Sequence, residues 1–275
     1  MLFRSIVSFV GGGGKTSALF SLARRQRRPV LLTTTTKVGF NQIQAADRIL
    51  TPRDFSAEPE IVGAERVIWV SELHGNGGTG KISGISDADF AELARRAAKF
   101  GYSILIEADG AHRRSIKAPE KHEPVIPPET TAVAACIGLS VLDRPATDES
   151  VHRLARYLDC VGGQPGEIIN EESILRLIAH PEGSFKSTPG SAERILLLNQ
   201  ADNEDLLGRA LKIADRALSA ASADRVWITR IRPFLFLPNR CVPNRFFLPL
   251  VQHRLAHLFF VRLWSAGEAI CVLEL

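Results

Sequence analysis

The sequence has few cysteines and lacks any long uncharged apolar run, and each absence excludes a class of protein. The four cysteines stand far apart and form no Cys-x-x-Cys pair, which argues against a zinc knuckle, a redox motif or a disulfide scaffold. No uncharged run is long enough to span a bilayer, and the first apolar run is too short for a signal peptide. We therefore expect a cytoplasmic protein without a transmembrane segment.

An excess of charge of one sign is also absent. The chain has 34 basic and 30 acidic residues, which gives a net charge of +4. Its short basic clusters, at residues 24–28 and 113–114, have no interleaved aromatic residues, so nucleic acid is not an expected partner. Since 45% of the 275 residues are hydrophobic, the chain can bury a sizeable core.

The most informative stretch is rich in glycine and follows the first apolar run, residues 6–10. That run predicts a buried strand, and the apolar spacing after the glycines predicts a helix. Strand, glycine loop, lysine, hydroxyl residue and helix, in this order, are typical of a phosphate-binding P-loop. Glycines let backbone amides close on a phosphate, and a helix N-terminus adds further donors. The residues expected to bind nucleotide here are Gly11, Gly12, Gly13, Gly14, Lys15, Thr16 and Ser17.

The spacing of this loop departs from the usual P-loop pattern. Phe9 stands five residues before Gly14, where the first glycine is usual, which leaves a shorter Gly-x-x-Gly-Lys-Thr pattern. Lys15 can still reach the outer phosphates, and the hydroxyl of Thr16 can hold Mg²⁺. The short pattern also resembles the ATP loop of the Mur ligases, so an ATP-dependent small-molecule kinase or ligase is an alternative.

Another apolar strand, predicted at residues 102–106, ends in carboxylates. An acidic side chain opposite a glycine loop can order Mg²⁺ and position an attacking water. We therefore expect Thr16, Glu107 and Asp109 to hold the metal, and Lys15, Glu107 and Asp109 to be catalytic. The Glu-x-x-Gly pattern that begins at Glu107 resembles the third motif of the metallochaperone GTPases. The alternative is that these carboxylates cap the next element.

A buried strand at residues 194–198 ends in Asn-Gln-Ala-Asp. This resembles the guanine-specificity motif Asn-Lys-x-Asp, with Gln200 in the place of the lysine. Asp202 could accept hydrogen bonds from guanine N1 and N2, which adenine cannot both donate, while Asn199 would tie loops together. The alternative is that Asp202 is a helix N-cap.

Polar residues at two further places are candidates for ligand contact. Threonines and a lysine follow a strand predicted at residues 29–32, and a long proline-containing loop follows the carboxylates. Such positions at strand ends and in long loops often carry function, but β-branched strand residues and solvated charges are equally valid interpretations. The candidates for Mg²⁺, phosphate or other anions are Thr35, Thr36, Lys37, Arg113, Arg114 and Lys117.

The remaining pattern predicts a three-layer α/β fold like that of P-loop NTPases, with a mostly parallel sheet and helices on both faces. Residues 1–230 would form the nucleotide-binding domain, and residues 231–275 an apolar tail of unassigned structure. The glycine-rich segment 75–81 predicts a turn or hairpin, and His152 is expected to be structural. Further strands are predicted at 66–70, 131–137 and 225–229, the last of the sheet, and helices at 87–100, 151–157, 171–180 and 204–220.

These motifs together resemble the YqeC family, which is described as an accessory protein of selenium-dependent molybdenum hydroxylases. The resemblance covers roughly the first 230 residues and implies a P-loop NTPase fold. It also implies a molybdenum hydroxylase, or its cofactor-insertion machinery, as the partner. The motifs that carry it are Ser8–Thr16, Thr33–Lys37, Glu107–Ala111, Lys117–Pro119 with His122–Pro127, Val151–Arg153 and Asn199–Asp202.

The sequence thus predicts a Mg²⁺-dependent nucleotide-binding protein, with GTP favoured over ATP. We expect it to be an NTP hydrolase of the GTPase type that serves in the maturation of another enzyme. A nucleotide-binding adaptor without hydrolysis is a further alternative.

Overall fold

A ten-stranded sheet forms the centre of the protein. The computed structural model describes residues 5–57, 60–61, 65–72, 81–231, 260–262 and 270–274. The strands are β1 (Ile6–Gly11), β2 (Val30–Thr34), β3 (Val38–Gly39), β4 (Arg48–Leu50), β5 (Val67–Val70), β6 (Lys81–Ile82), β7 (Ser103–Glu107), β8 (Ile116–Lys117), β9 (Ala132–Gly138), β10 (Val151–His152), β11 (Glu193–Asn199), β12 (Arg225–Thr229), β13 (Phe260–Arg262) and β14 (Ile270–Glu274). The helices are α1 (Lys15–Arg25), α2 (Phe40–Ile43), α3 (Pro52–Ala57), α4 (Asp87–Phe100), α5 (Leu154–Val161), α6 (Glu171–Ala179) and α7 (Glu204–Ser219).

The strands of the sheet run in the order β13-β14-β12-β11-β9-β1-β7-β2-β5-β4. All neighbours from β12 to β4 are parallel, and β14 is antiparallel to both β12 and β13. Two small sheets lie outside this one, the pairs β3–β6 and β8–β10. The predicted mostly parallel sheet is therefore confirmed.

Helices cover both faces of the sheet because alternate residues of the buried strands point to opposite sides. Leu105 packs in the same apolar cluster as Leu19 of α1. Its neighbours Ile104 and Ile106 pack in a different cluster, with Phe90 of α4. On the second face, α5, α6 and α7 cover the far half of the sheet. This confirms the predicted three-layer α/β arrangement, the architecture of P-loop NTPases.

Most long elements agree with the sequence pattern. The helix predicted at residues 87–100 is α4, which starts after the Ser86 cap and ends at Gly101, a residue with left-handed backbone geometry. The strands expected at 66–70, 102–106, 131–137 and 194–198 correspond to β5, β7, β9 and β11. Strongly periodic segments were thus sufficient to place the core.

The helix predicted at residues 151–157 is confirmed from Leu154 onward, but its predicted start is wrong. Val151 and His152 form β10, Arg153 has left-handed backbone geometry, and the helix begins only at Leu154. The reason is a pairing between distant segments, in which Val151 lies opposite Ile116 and His152 opposite Lys117. The loop at residues 111–128 therefore contains a strand, β8, that the prediction did not include.

The prediction that β12 is the last strand of the sheet is also wrong. The edge of β12 is continued by β14, with Ile228 opposite Cys271 and Thr229 opposite Ile270. An open strand edge presents unpaired amides and carbonyls, and an apolar segment can satisfy them by adding a strand. The turn or hairpin predicted at 75–81 falls largely outside the described residues, which resume at Lys81 in β6.

In the described part of the chain, the helices are too short or too polar to cross a membrane. This agrees with the absence of long uncharged runs in the sequence.

Two glycines whose added Cβ would meet open space provide a test of the local backbone. Gly208 lies inside α7, whereas Gly162 caps α5 with a φ of 65°. We expect Gly208→Ala to stabilise the fold by about 0.5–1 kcal/mol, since alanine favours a helix. Gly162→Ala should destabilise it by about 1–2 kcal/mol, since left-handed geometry disfavours a Cβ. Denaturant unfolding of both variants measures this, and shifts of the same sign would contradict the assigned backbone.

Candidate functional site

The carboxyl ends of three adjacent strands meet around the glycine-rich loop. The central strand β1 ends at Gly11, between β7, which ends at Glu107, and β9, which ends at Gly138. On the other side of β9, Asn199 at the end of β11 lies opposite Gly138. Parallel strands place their carboxyl ends at one edge, where ligands of open α/β sheets bind. The three sequence motifs therefore lie at one edge, as the pattern predicted.

The loop itself is folded tightly against its neighbours through backbone amides. The amide of Gly11 donates to Asp109 Oδ2 at 3.0 Å. The amide of Gly12 donates to Cys136 O and that of Gly13 to Arg114 O, both at 2.9 Å. Gly13 has a φ of 75°, and a Cβ there would collide with the backbone of Gly138. These three amides therefore fix the shape of the loop.

The next four amides remain available at the start of α1. In the described chain, the first helical bond is from Ala18 N to Gly14 O, and the amides of Gly14, Lys15, Thr16 and Ser17 donate to no carbonyl. Gly14 is exposed and has a φ of 103°. Unsatisfied amides at the positive end of a helix are a ready site for an anion.

Thr16 and Glu107 form a hydroxyl–carboxylate pair beside these amides. The hydroxyl of Thr16 donates to Glu107 Oε2 at 2.8 Å. Burial raises the pKa of Glu107 above its ordinary value, although Lys15 and the Thr16 hydroxyl act in the opposite direction. Both side chains offer hard oxygen donors of the kind that Mg²⁺ prefers.

The oxygens of Thr16 and Glu107 suit Mg²⁺ if phosphate oxygens and waters supply the rest of its coordination shell. Within the described residues, no group of three or more histidine, cysteine, aspartate or glutamate side chains could hold a metal ion alone. Mg²⁺ commonly takes one or two carboxylates together with substrate phosphates and waters. Asp109, in contrast, accepts from Gly11 and lies between two lysines, so its contacts suit it to hold the loop.

A buried chain of charges continues from the loop into the segment after β7. Lys15 Nζ lies 3.0 Å from Asp109 Oδ1. Lys117 Nζ lies 3.2 Å from Asp109 Oδ2 and 2.8 Å from Glu123 Oε2. Burial by itself would lower the pKa of Lys15, but Asp109 and Glu107 outweigh it and hold that pKa above its ordinary value. The sequence pointed to Lys117 as an anion contact or a solvated charge. Its burial contradicts the second interpretation, and the sequence did not reveal Glu123 as its partner.

Asn199 ties the loop to the strands on its far side. Its Nδ2 donates to Gly13 O at 2.8 Å, and its Oδ1 accepts from Thr229 Oγ1 and Ile231 N, both at 2.9 Å. The side chain is buried, so these bonds are shielded from water. The expected role of Asn199 in tying loops together agrees with this geometry, whereas nothing in the sequence marked Thr229 as its partner.

Asp202 is not the N-cap of α7, the role that the alternative interpretation gave it. The N-cap of α7 is Asn203, whose side chain accepts from Leu206 N at 2.8 Å. The side chain of Asp202 is 52% exposed, with Arg230 Nε at 3.6 Å. Gln200 has a φ of 67° and accepts from the Ser140 hydroxyl at 2.6 Å. Asp202 is therefore half-exposed three residues after the end of β11, with Arg230 as an ion-pair partner, while Gln200 is engaged just after β9.

The other candidate residues differ in their burial and in their hydrogen-bond partners. Thr33 and Thr34 extend β2, as one interpretation allowed, and the Thr35 hydroxyl donates to Val125 O at 2.7 Å. Arg114 Nε donates to Asp148 O at 2.9 Å. The exposed side chains among the candidates are Lys37 and Arg113.

Comparison with known proteins gives two matches in one family. The family model described as YqeC protein matches residues 7–155, a range that contains the loop, both carboxylates and Lys117. An Escherichia coli (strain K12) protein named "Uncharacterized protein YqeC" is 31% identical over 204 residues, which cover 71% of this chain and 76% of that protein. No solved structure matches. The chain belongs to the YqeC family.

Proposed function

We propose that this protein binds a Mg²⁺-nucleotide, with a preference for guanine, and hydrolyses it slowly. The observation that carries the proposal is the group of four unengaged amides, from Gly14 to Ser17, beside the Lys15 ammonium and the Thr16–Glu107 pair. The N–H groups that suit phosphate lie beside the oxygen atoms that suit Mg²⁺, at the carboxyl edge of a parallel sheet. A Mg²⁺-nucleotide needs both kinds of contact.

Each side chain has a separate task in this proposal. The amides bind phosphate oxygens, and Lys15 neutralises charge on the outer phosphates. Thr16 and Glu107 hold Mg²⁺, which when bound neutralises further phosphate charge. Asp109 positions Lys15 and the first amide of the loop through the contacts described above.

The guanine preference is assigned to Asp202 at the edge of the site. An exposed carboxylate can accept two hydrogen bonds from guanine N1 and N2, and adenine lacks this donor pair. Asn199, by holding Gly13, keeps the phosphate loop and the end of β11 at a fixed separation. The protein would thereby bind the phosphates and the base of one nucleotide at the same time.

The role of this activity in the maturation of a molybdenum hydroxylase is proposed from the family resemblance. Loops ordered by a nucleotide can present different surfaces to a partner in the two states. Pull-down of a purified molybdenum hydroxylase by the protein, with Mg-GTP and with Mg-GDP, tests this. Equal recovery of the hydroxylase in both states and without nucleotide would contradict it.

Lys15→Ala is expected to weaken Mg-GTP binding at least tenfold, because the ammonium that would neutralise the outer phosphates is lost. Isothermal titration calorimetry measures the affinity, and circular dichroism confirms the fold. Lys99→Ala is the matched control, since Lys99 is exposed near the end of α4, which precedes the start of β7 at the opposite edge. Unchanged binding in Lys15→Ala, or an equal loss in Lys99→Ala, would contradict the assigned phosphate site.

Asp202→Ala is expected to reduce the ratio of GTP to ATP affinity about tenfold or more, since a charge-assisted pair of bonds to guanine is lost. Its stability should change little because the side chain is exposed. Asn203→Ala is the control: loss of the helix cap should destabilise the fold by about 1 kcal/mol and leave the ratio unchanged. Competition between fluorescent GTP and unlabelled nucleotides measures the ratio. Adenine preference in the wild type would favour the kinase or ligase alternative.

A further inference from the structure

Two histidines that are distant in the sequence, each followed by an arginine, meet beside the glycine-rich loop. His112 and Arg113 precede β8, while His152 and Arg153 lie at the end of β10. The rings of His112 and His152 are stacked, with centroids 4.7 Å apart and planes at 15°. The nucleotide site described above uses none of these four side chains.

The pairing of β8 with β10 holds this group in place. Lys117 lies opposite His152, and Ala118 N donates to His152 O at 3.4 Å. The Arg114 guanidinium donates a further hydrogen bond to Asp148 O, just before β10. The two segments are therefore fixed to each other by main-chain contacts, so the stacked rings do not depend on a chance approach of surface side chains.

The backbone of the group is in a conformation that side chains disfavour. Positive φ angles occur at His112 (46°), Arg113 (63°) and Arg153 (66°). Strained residues of this kind persist where the surrounding structure holds them, and they concentrate at ligand-binding sites. The strained positions therefore lie in the two segments that bring the rings of His112 and His152 together.

Positive charge dominates the electrostatic surroundings of His152. Burial lowers the pKa of His152 to about 4, and the nearby Lys117, His112 and Arg153 lower it as well. Glu123 acts in the opposite direction and raises this pKa. Glu123 is engaged more closely by Lys117, at 2.8 Å, than by Arg153, whose Nε is 4.0 Å away. The Arg153 side chain is 38% exposed, so its guanidinium can still meet a ligand from solvent.

The group lies directly against the proposed phosphate loop. The carbonyl oxygen of Arg114, the residue after Arg113, accepts a hydrogen bond from the amide of Gly13. A Cβ on Gly12 would lie 2.6 Å from that same oxygen. Lys117, next to His152 in the small sheet, is joined through Asp109 to Lys15.

We propose that His112, His152 and Arg153 form a second binding site, which takes the phosphate or carboxylate group of a small anionic ligand beside the nucleotide. A guanidinium can bind either group with two parallel bonds, and the imidazoles supply further donors. The position next to the nucleotide rests on the proposed function, whereas binding of the anion itself does not. The ligand would be a second substrate or an effector of the nucleotide site.

Nuclear magnetic resonance of the imidazole C–H groups tests this on the full chain. Inorganic phosphate and, separately, acetate are titrated at constant pH and ionic strength, and His112→Gln and His152→Gln assign the signals. Saturable shifts of both imidazoles are expected with at least one anion, and the better anion identifies the group recognised. Shifts that never saturate with either anion would overturn the proposal.

Variants separate this site from the phosphate loop. Arg153→Gln should weaken binding of the anion at least tenfold. Arg153→Lys should weaken it less, because lysine retains the charge but cannot form two parallel hydrogen bonds. Arg216→Gln, on the surface of α7, should have no effect. In Lys15→Ala the imidazole shifts should persist while Mg-GTP binding weakens at least tenfold. Their disappearance in Lys15→Ala would mean that the anion occupies the loop and would reject the second site, whereas persistence together with intact Mg-GTP binding would reject only the proposed nucleotide function.

Discussion

The buried carboxylate of Asp109 is the contact on which the site depends. It accepts from the Gly11 amide and pairs with both Lys15 and Lys117. These three partners come from the entry of the loop, the start of α1 and β8, so one side chain sets their relative positions. A buried charge is stable only when it is paired and hydrogen-bonded. Asp109 also provides this compensation for two ammonium groups, of which Lys117 is in addition paired with Glu123.

The parallel sheet explains why distant motifs converge. Parallel strands bring their carboxyl ends to one edge. Here β1 lies between β7, whose end carries the carboxylates, and β9, the neighbour of β11. Asn199 then joins the loop to the last parallel strand through bonds to Gly13, Thr229 and Ile231. The site therefore depends on strand order, and it joins elements far apart in the sequence, such as those of Gly13 and Asn199, which are 186 residues apart.

The sequence was sufficient to predict what depends on long periodic patterns. The loop between β1 and α1, the carboxylates after β7 and the asparagine after β11 all follow buried apolar runs, which are readable from one chain. The pairing of β8 with β10 was not predictable, because strands of two residues carry no period. The choice between Asp202 and Asn203 as the cap was not predictable either, since both residue types are good caps. The stack of His112 on His152 depends on that same short pairing and on three strained backbone positions.

The pairing of Lys15 with Asp109 has a consequence for selectivity. In the resting protein the ammonium already has an anionic partner, held inside the fold at 3.0 Å. A ligand for the loop has to compete with that internal carboxylate, so its affinity reflects only the difference between the two interactions. A lone phosphate, with few other contacts, gains little from the exchange, whereas a polyphosphate can engage the ammonium, the free amides and a cation at once. If the loop binds phosphates as proposed, the internal ion pair would favour long, highly charged ligands over small anions.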